Sequence, residues 1–139
     1  GQNNPNDILL LYNKYFQNKS VKMVGGIRKN RKDSSIKIYS SKIANYIRMK
    51  ILNDNCQDTG CSLKIFDKKI FLKFPYFNGI HRFIPALFSG QGYETAFINV
   101  SHRPRTTGIS KYGTIDRLFK GILDIYKVKK VINQKGFDD

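Results

Sequence analysis

The 139-residue sequence predicts an α/β fold. Three short apolar runs of strand length, VKMVGG, CSLKIF and ETAFINV, alternate with longer segments whose apolar residues recur every three or four positions. Such alternation favours a sheet covered by helices. The length suits one domain, and 40% apolar content with ten Phe and eight Tyr is enough to build a core. Three strands are few for an independent doubly wound sheet, so the chain reads as part of a larger one.

The elements follow in order. NNPNDILLLYNKYFQN reads as a helix, with Asn4 as N-cap, Pro5 at the first helical position and Asp7 in the first turn. VKMVGGIRKNRKD is a short strand that runs out through Gly25 and Gly26 into a basic loop. From Ser34 to about Leu52, Ile36, Ile43, Ile47 and Ile51 recur at helical spacing among Lys37, Lys42, Arg48 and Lys50, with Asp33 or Ser34 as the cap. A loop from Asn53 to Gly60 leads to the strand CSLKIF and a short helix from Asp67. GIHRFIPALFSG is expected to be helical as far as Gly90, and ETAFINV to be a buried strand. Thr114 to Ile132 forms the last helix, with Ile115, Leu118, Phe119, Ile122, Ile125 and Tyr126 on one face and most of its lysines off it.

No apolar run approaches the roughly 18 residues of a membrane span, and the sequence shows no signal peptide. It begins at Gly1, as though continuing from something longer. The formal net charge of +15 suggests a polyanionic partner: nucleic acid, an anionic membrane or a phosphorylated substrate. Because most of the 25 basic residues are lysines spread along the whole chain, local clusters carry more meaning than the total. Cys56 and Cys61 have no nearby His to complete a four-ligand zinc set, and are expected to be buried thiols.

Asp7, Asp33, Asp67 and Asp116 sit near predicted helix starts, where they meet unpaired N–H groups and the helix dipole. Asp54 and Asp58 do not. Asp58, followed by Thr59-Gly60 beside the cysteine pair, is the candidate site carboxylate, with an Asx turn as the alternative reading. Two basic loops accompany it. GGIRKNRKDSS holds Arg28 and Arg31, and by itself suits a solvated turn equally well. HRPRTTGISKYG is more specific: Pro104 stiffens it, Gly108 permits close backbone approach, and Arg105, Ser110 and Lys111 offer donors to phosphate oxygens. It lacks the Walker A pattern. The basic amphipathic terminal helix fits either an anionic bilayer surface or ordinary packing within a domain.

Three blocks in this order, GQNNPNDI, then RKNRKDS with DTGCSLKIF, then HRFIPAL with HRPRTTGISKYG, resemble the second half of a family 2 glycosyltransferase. The likeness is to dolichyl/polyprenyl-phosphate sugar transferases of the dolichol-phosphate mannosyltransferase type, and it extends to about Ile132. It implies the C-terminal part of a GT-A sandwich over residues 1–132, with the nucleotide-binding strands missing and a tail over 133–139. It implies a divalent metal, Mg2+ or Mn2+, with Gln2 at the metal-side glutamine position and the aspartate ligands upstream of Gly1. By the same resemblance Arg28 and Arg31 face a diphosphate or an acceptor phosphate. Asp58 lies in the acceptor-side loop as the catalytic candidate, and Arg105, Ser110 and Lys111 close on phosphate near the membrane.

The implied reaction moves a sugar from a GDP- or UDP-sugar to a polyprenyl phosphate at the cytoplasmic face of a membrane, through peripheral contact and without nucleic acid. An isolated 139-residue chain is expected to be inactive. An acceptor phosphate is already anionic, so Asp58 would orient it; for a hydroxyl acceptor Asp58 would be the base. Two other readings compete. A basic nucleic-acid-binding module suits the charge and the aromatics, although no RNP strand, helix-turn-helix or zinc pattern appears. A non-catalytic peripheral membrane adaptor suits the terminal helix.

Overall fold

A computed structural model describes residues 3–30, 34–103 and 114–134. Helix α1 (Pro5–Gln17) starts where expected: Asn4 Oδ1 accepts from the amide of Asn6 at 3.0 Å, and Pro5 opens the first turn. Strand β1 (Val21–Arg28) is the middle of a three-stranded sheet. Helix α2 (Ser35–Leu52) follows, then β2 (Lys64–Phe66) and the short helix α3 (Lys68–Phe71) capped by Asp67. A 3-10 turn (Ile80–Arg82) precedes α4 (Ile84–Gly90), so the expected single helix over this stretch is broken at Phe83. Strand β3 (Glu94–Val100) and helix α5 (Thr114–Asn133) complete the series.

Strand β2 pairs antiparallel with β1, with Val24 opposite Ile65. Strand β3 pairs parallel with β1 on its other side, ending at Arg28 opposite Val100. Gly25 and Gly26 do not end β1 as the sequence suggested. A Cβ on Gly25 would lie 3.0 Å from the Phe97 ring, and one on Gly26 3.0 Å from both Cys61 Sγ and Val100. These glycines serve close packing across the sheet, so the strand runs on and Arg28 becomes its last residue. β3 is half-buried along most of its length and fully buried only at Val100, as suits an edge strand.

Side chains of β1 alternate between the two faces, with an irregularity between Val21 and Met23 that puts Val21 on the side of Val24, and so divide the core in two. Met23 joins Phe74, Leu87, Phe88, Ile125 and Val128 under α4 and α5. Val24 joins Leu11, Val21, Cys61 and Val100 under α1. Across this second layer, Asp7 in the first turn of α1 accepts from the amide of Ser101 at 3.1 Å and from its hydroxyl at 2.7 Å. Its carboxylate therefore ties α1 to the end of β3 instead of capping its own helix.

Two helices face differently from their sequence patterns. In α2 the buried side chains are Asn45, Arg48 and Leu52, whereas Ile36, Ile43 and Ile47 are exposed. In α5, Asp124, Ile125 and Val128 point inward, and Phe119, Ile122 and Tyr126 point outward. Ion pairs accompany both rotations: the buried pair of Arg48 with Asp54, and the part-buried pair of Arg82 with Asp124 across 2.5 Å. Cys56 and Cys61 are free and buried, in line with the expectation of buried thiols.

Candidate functional site

Parallel strands β1 and β3 end side by side, and ligands of α/β folds gather beyond such carboxyl ends. Arg28, at the end of β1, meets Asp58 from the loop between α2 and β2. Its Nε donates to Oδ2 and its Nη2 to Oδ1, both at 2.8 Å, and its own amide donates to Oδ2 at 3.1 Å. This bidentate pair with an added backbone bond fixes the guanidinium plane. Asp58 is 6% exposed and the Arg28 side chain 19%, so the pair is largely withdrawn from water.

A cavity of about 360 Å³ opens beside this pair. Arg28, Lys42 and Asp58 supply its charges, Ser41, Asn45 and Gln57 its neutral polar groups, and Ile27, Ile38, Tyr46 and Met49 its apolar wall. Two cations against one carboxylate leave a positive balance among the charged lining residues. The arrangement suits an amphiphilic anion, with its phosphate at the cationic end and hydrocarbon along α2. A second cavity of about 540 Å³ lies across the strand ends, lined by Lys29, Asn30, Asn99, Val100, Ser101 and His102. The Nε2 atom of His102 is buried there with no hydrogen-bond partner among the described residues.

The loop that carries Asp58 is braced from beneath. Asn53 and Asn55 both adopt φ of 53°, in the left-handed region that asparagine tolerates best after glycine. Asp54, 1% exposed, accepts from Arg48 Nε at 3.0 Å and from the amide of Cys56 at 3.0 Å. Lys64 Nζ donates to the carbonyl of Cys61, and burial lowers the pKa of this ammonium. Burial also raises both thiols, Cys56 to about 11, so they are protonated at neutral pH and inert as nucleophiles.

Of the residues nominated from sequence, the structure brings Arg28 and Asp58 into direct contact. Gln2, Arg31, Arg105, Ser110 and Lys111 lie outside the described residues. Asn45, Arg48, Asp54 and Gly60 were not nominated; Asp54 carried the one available signal, a loop carboxylate with no helix to cap. Among the described residues no three His, Cys, Asp or Glu side chains converge to hold a metal, so the implied divalent cation finds no ligand set there. Nor is any described helix long and apolar enough to cross a membrane.

The α/β domain thus combines a braced Arg–Asp pair at its strand ends with a cationic, partly apolar cavity beside it. The chain is 36% identical over 138 residues to a dodecaprenyl-phosphate galacturonate synthase of Rhizobium johnstonii, covering 97% of the chain and 40% of that protein. It is 32% identical over 124 residues to an undecaprenyl-phosphate 4-deoxy-4-formamido-L-arabinose transferase of Pseudomonas paraeruginosa, covering 89% of the chain and 36% of that protein. A transferase of the same name from Shewanella sediminis is 33% identical over 90 residues, 65% of the chain and 27% of the relative. By name these relatives act on polyprenyl phosphates, and the chain is similar to a part of each. It spans at most 40% of the length of these relatives. No family model matches it, and neither does any solved structure.

Proposed function

We propose that the protein works in the transfer of a sugar from a nucleotide sugar to a polyprenyl phosphate, and that these residues supply the acceptor-phosphate side of a GT-A domain over 1–132. The observation that carries the reading is the cavity where Arg28 and Lys42 meet the apolar wall formed by Ile38, Tyr46 and Met49. A phosphate monoester bound there is already a nucleophile, so the protein has to orient it and need not deprotonate it. Asp58 holds the Arg28 fork in one plane, and Arg28 with Lys42 aims the phosphate oxygen at the sugar. Arg31, Arg105, Ser110 and Lys111 are proposed as further phosphate donors, and Gln2 as a neighbour of the metal.

Membrane contact belongs to the same proposal. The outer face of α2 exposes Ile36, Tyr39, Ile43, Tyr46 and Ile47, with Lys37, Lys42 and Lys50 among them. Helix α5, packed beside α2, adds Phe119, Ile122, Leu123 and Tyr126 with Lys120, Lys127, Lys129 and Lys130. Apolar and aromatic side chains ringed by lysines fit the headgroup boundary of an anionic bilayer, where each cation adds on the order of 1 kcal/mol. Such a face next to the cavity would let a lipid phosphate enter while its chain stays in the membrane.

The test is a chimera in which these residues replace the matched segment of the Rhizobium synthase. It is assayed with undecaprenyl phosphate and with nucleotide forms of uronate, formamido-pentose and mannose donors. Labelled glycolipid that depends on Arg28 and Lys42 and disappears on chelating divalent cations supports the proposal. Residues 1–139 assayed alone are expected to give no product. Absence of glycolipid from the folded chimera would refute the transfer reading. Tight single-stranded RNA binding with a steep salt slope would favour a nucleic-acid module instead.

A further inference from the structure

Two arginine–aspartate pairs grip one loop from two different elements. The outer pair is Arg28–Asp58, described above. The inner pair belongs to α2: Arg48, 4% exposed, gives Nε to Asp54 at 3.0 Å, Nη1 to Asn45 Oδ1 at 2.5 Å and Nη2 to the carbonyl of Cys56. Asn45 Oδ1 in turn accepts from the Thr59 hydroxyl at 3.1 Å and from its amide at 3.4 Å. A single buried guanidinium thus reaches the loop at residues 54 and 56 directly and at 59 through Asn45, on both sides of Asp58. Lysine has one point of attachment and cannot reproduce this fork.

We infer that Arg48 is the positioning residue of the site: it sets the height and angle at which Asp58 meets Arg28, and through that pair the orientation of the cation facing the phosphate. Arg48 does not line either cavity, so it acts through the loop and touches no ligand. The ligand part of this inference rests on the reading given under Proposed function; the positioning part rests on the hydrogen bonds alone.

The test uses the 139-residue chain. Its first readout is the Arg28 Nε–H resonance, whose exchange with water reports the bond to Asp58. Its second is affinity for citronellyl phosphate, a short isoprenyl phosphate. Arg48→Lys and Arg48→Met are expected to speed Arg28 Nε–H exchange and weaken probe binding, each about 10- to 100-fold, as loss of a supporting shell does elsewhere. Millimolar guanidinium should partly restore both in an Arg48→Ala chain. Asn45→Ala, which keeps the Arg48–Asp54 pair and cuts the link to Thr59, should give a smaller change in Arg28 exchange, the readout used for it because Asn45 itself lines the cavity, and guards against an Arg48 variant that does not fold. Arg82→Met serves as the control for general destabilisation, since it acts on α5. Unchanged Arg28 exchange in folded Arg48 variants, or an equal change in Arg82→Met, overturns the inference. If Arg28 exchange responds while even the unaltered chain ignores the probe, the positioning role stands and the phosphate reading falls.

Discussion

Nη2 of Arg28 lies 2.5 Å from the point that a Cβ on Gly60 would occupy. Real side-chain carbons do not approach that closely, so position 60, in the turn before β2, is shaped by an arginine from β1 and not by its own backbone. Gly60→Ala should therefore displace the guanidinium and spoil its pairing with Asp58 while the fold persists. The expected result is a melting temperature lowered by roughly 3–7 °C, since the loss amounts to about 1–2 kcal/mol. Arg28 Nε–H should exchange at least tenfold faster in that variant; a protected Arg28 resonance would contradict this.

Removing Asp58 acts on the same pair from the other side. Asp58→Ala takes away the acceptor of two guanidinium N–H groups and of the Arg28 amide. A loss of about 2–4 kcal/mol is expected, because one member of a largely buried ion pair is left behind. Urea denaturation should show the midpoint falling with an unchanged slope. Asp58→Asn, which keeps one oxygen acceptor, should lose roughly half as much.

The Cys56 thiol gives a pH signature. Burial holds its pKa near 11, against 9.0 for the exposed group. A raised pKa means that the folded state favours the protonated thiol. The stabilising contribution is therefore complete below pH 9 and is lost as the unfolded chain ionises on the way up to 11. Lys64, whose pKa burial lowers, works in the opposite direction just below 10.5. Comparing the unaltered chain with Cys56→Ala largely cancels the lysine. The stability difference between the two should narrow steadily from pH 9 to pH 11, and a constant difference would contradict a protonated buried thiol.

The Arg82–Asp124 contact joins the 3-10 turn to α5 across 2.5 Å, with Arg82 36% exposed. Its solvent-facing half keeps the pair weak. A double-mutant cycle with Arg82→Met and Asp124→Asn should return about 0.5–1 kcal/mol of coupling. Raising the salt to about 1 M, where the Debye length is near 3 Å, should remove part of it.

Much of the fold was legible because it depends on short-range rules. Asn4 with Pro5 starts a helix, Asp67 caps one, and VKMVGG and ETAFINV pair as strands. The faces of α2 and α5 were not legible, because hydrophobic spacing assumes that apolar side chains turn inward. Here Asn45, Arg48 and Asp124 are drawn inside by partners several to many residues away, and the isoleucines rotate outward. For the site, residue type and local spacing sufficed to nominate Arg28 and Asp58. Their contact depends on β1 continuing past Gly26, which only the crowding against Cys61 and Val100 explains. Gly60 escaped notice because Arg28, which crowds it, is distant in sequence, and Arg48 because its partners Asp54 and Cys56 lie past the helix end, outside any helical spacing.

The bond between Asp7 and Ser101 spans 94 positions, and β1 must likewise wait for β3 to acquire its parallel neighbour. At roughly 5–20 residues per second, a ribosome needs about 5–20 s to make the chain between those two side chains. Throughout that interval Leu11, Val21 and Val24 have been synthesised but lack Val100, the residue that closes their layer. The nascent protein therefore carries an open apolar layer for seconds, and its folding is timed by translation of the ETAFINV strand. Slowing synthesis ahead of Glu94 would lengthen this exposed interval.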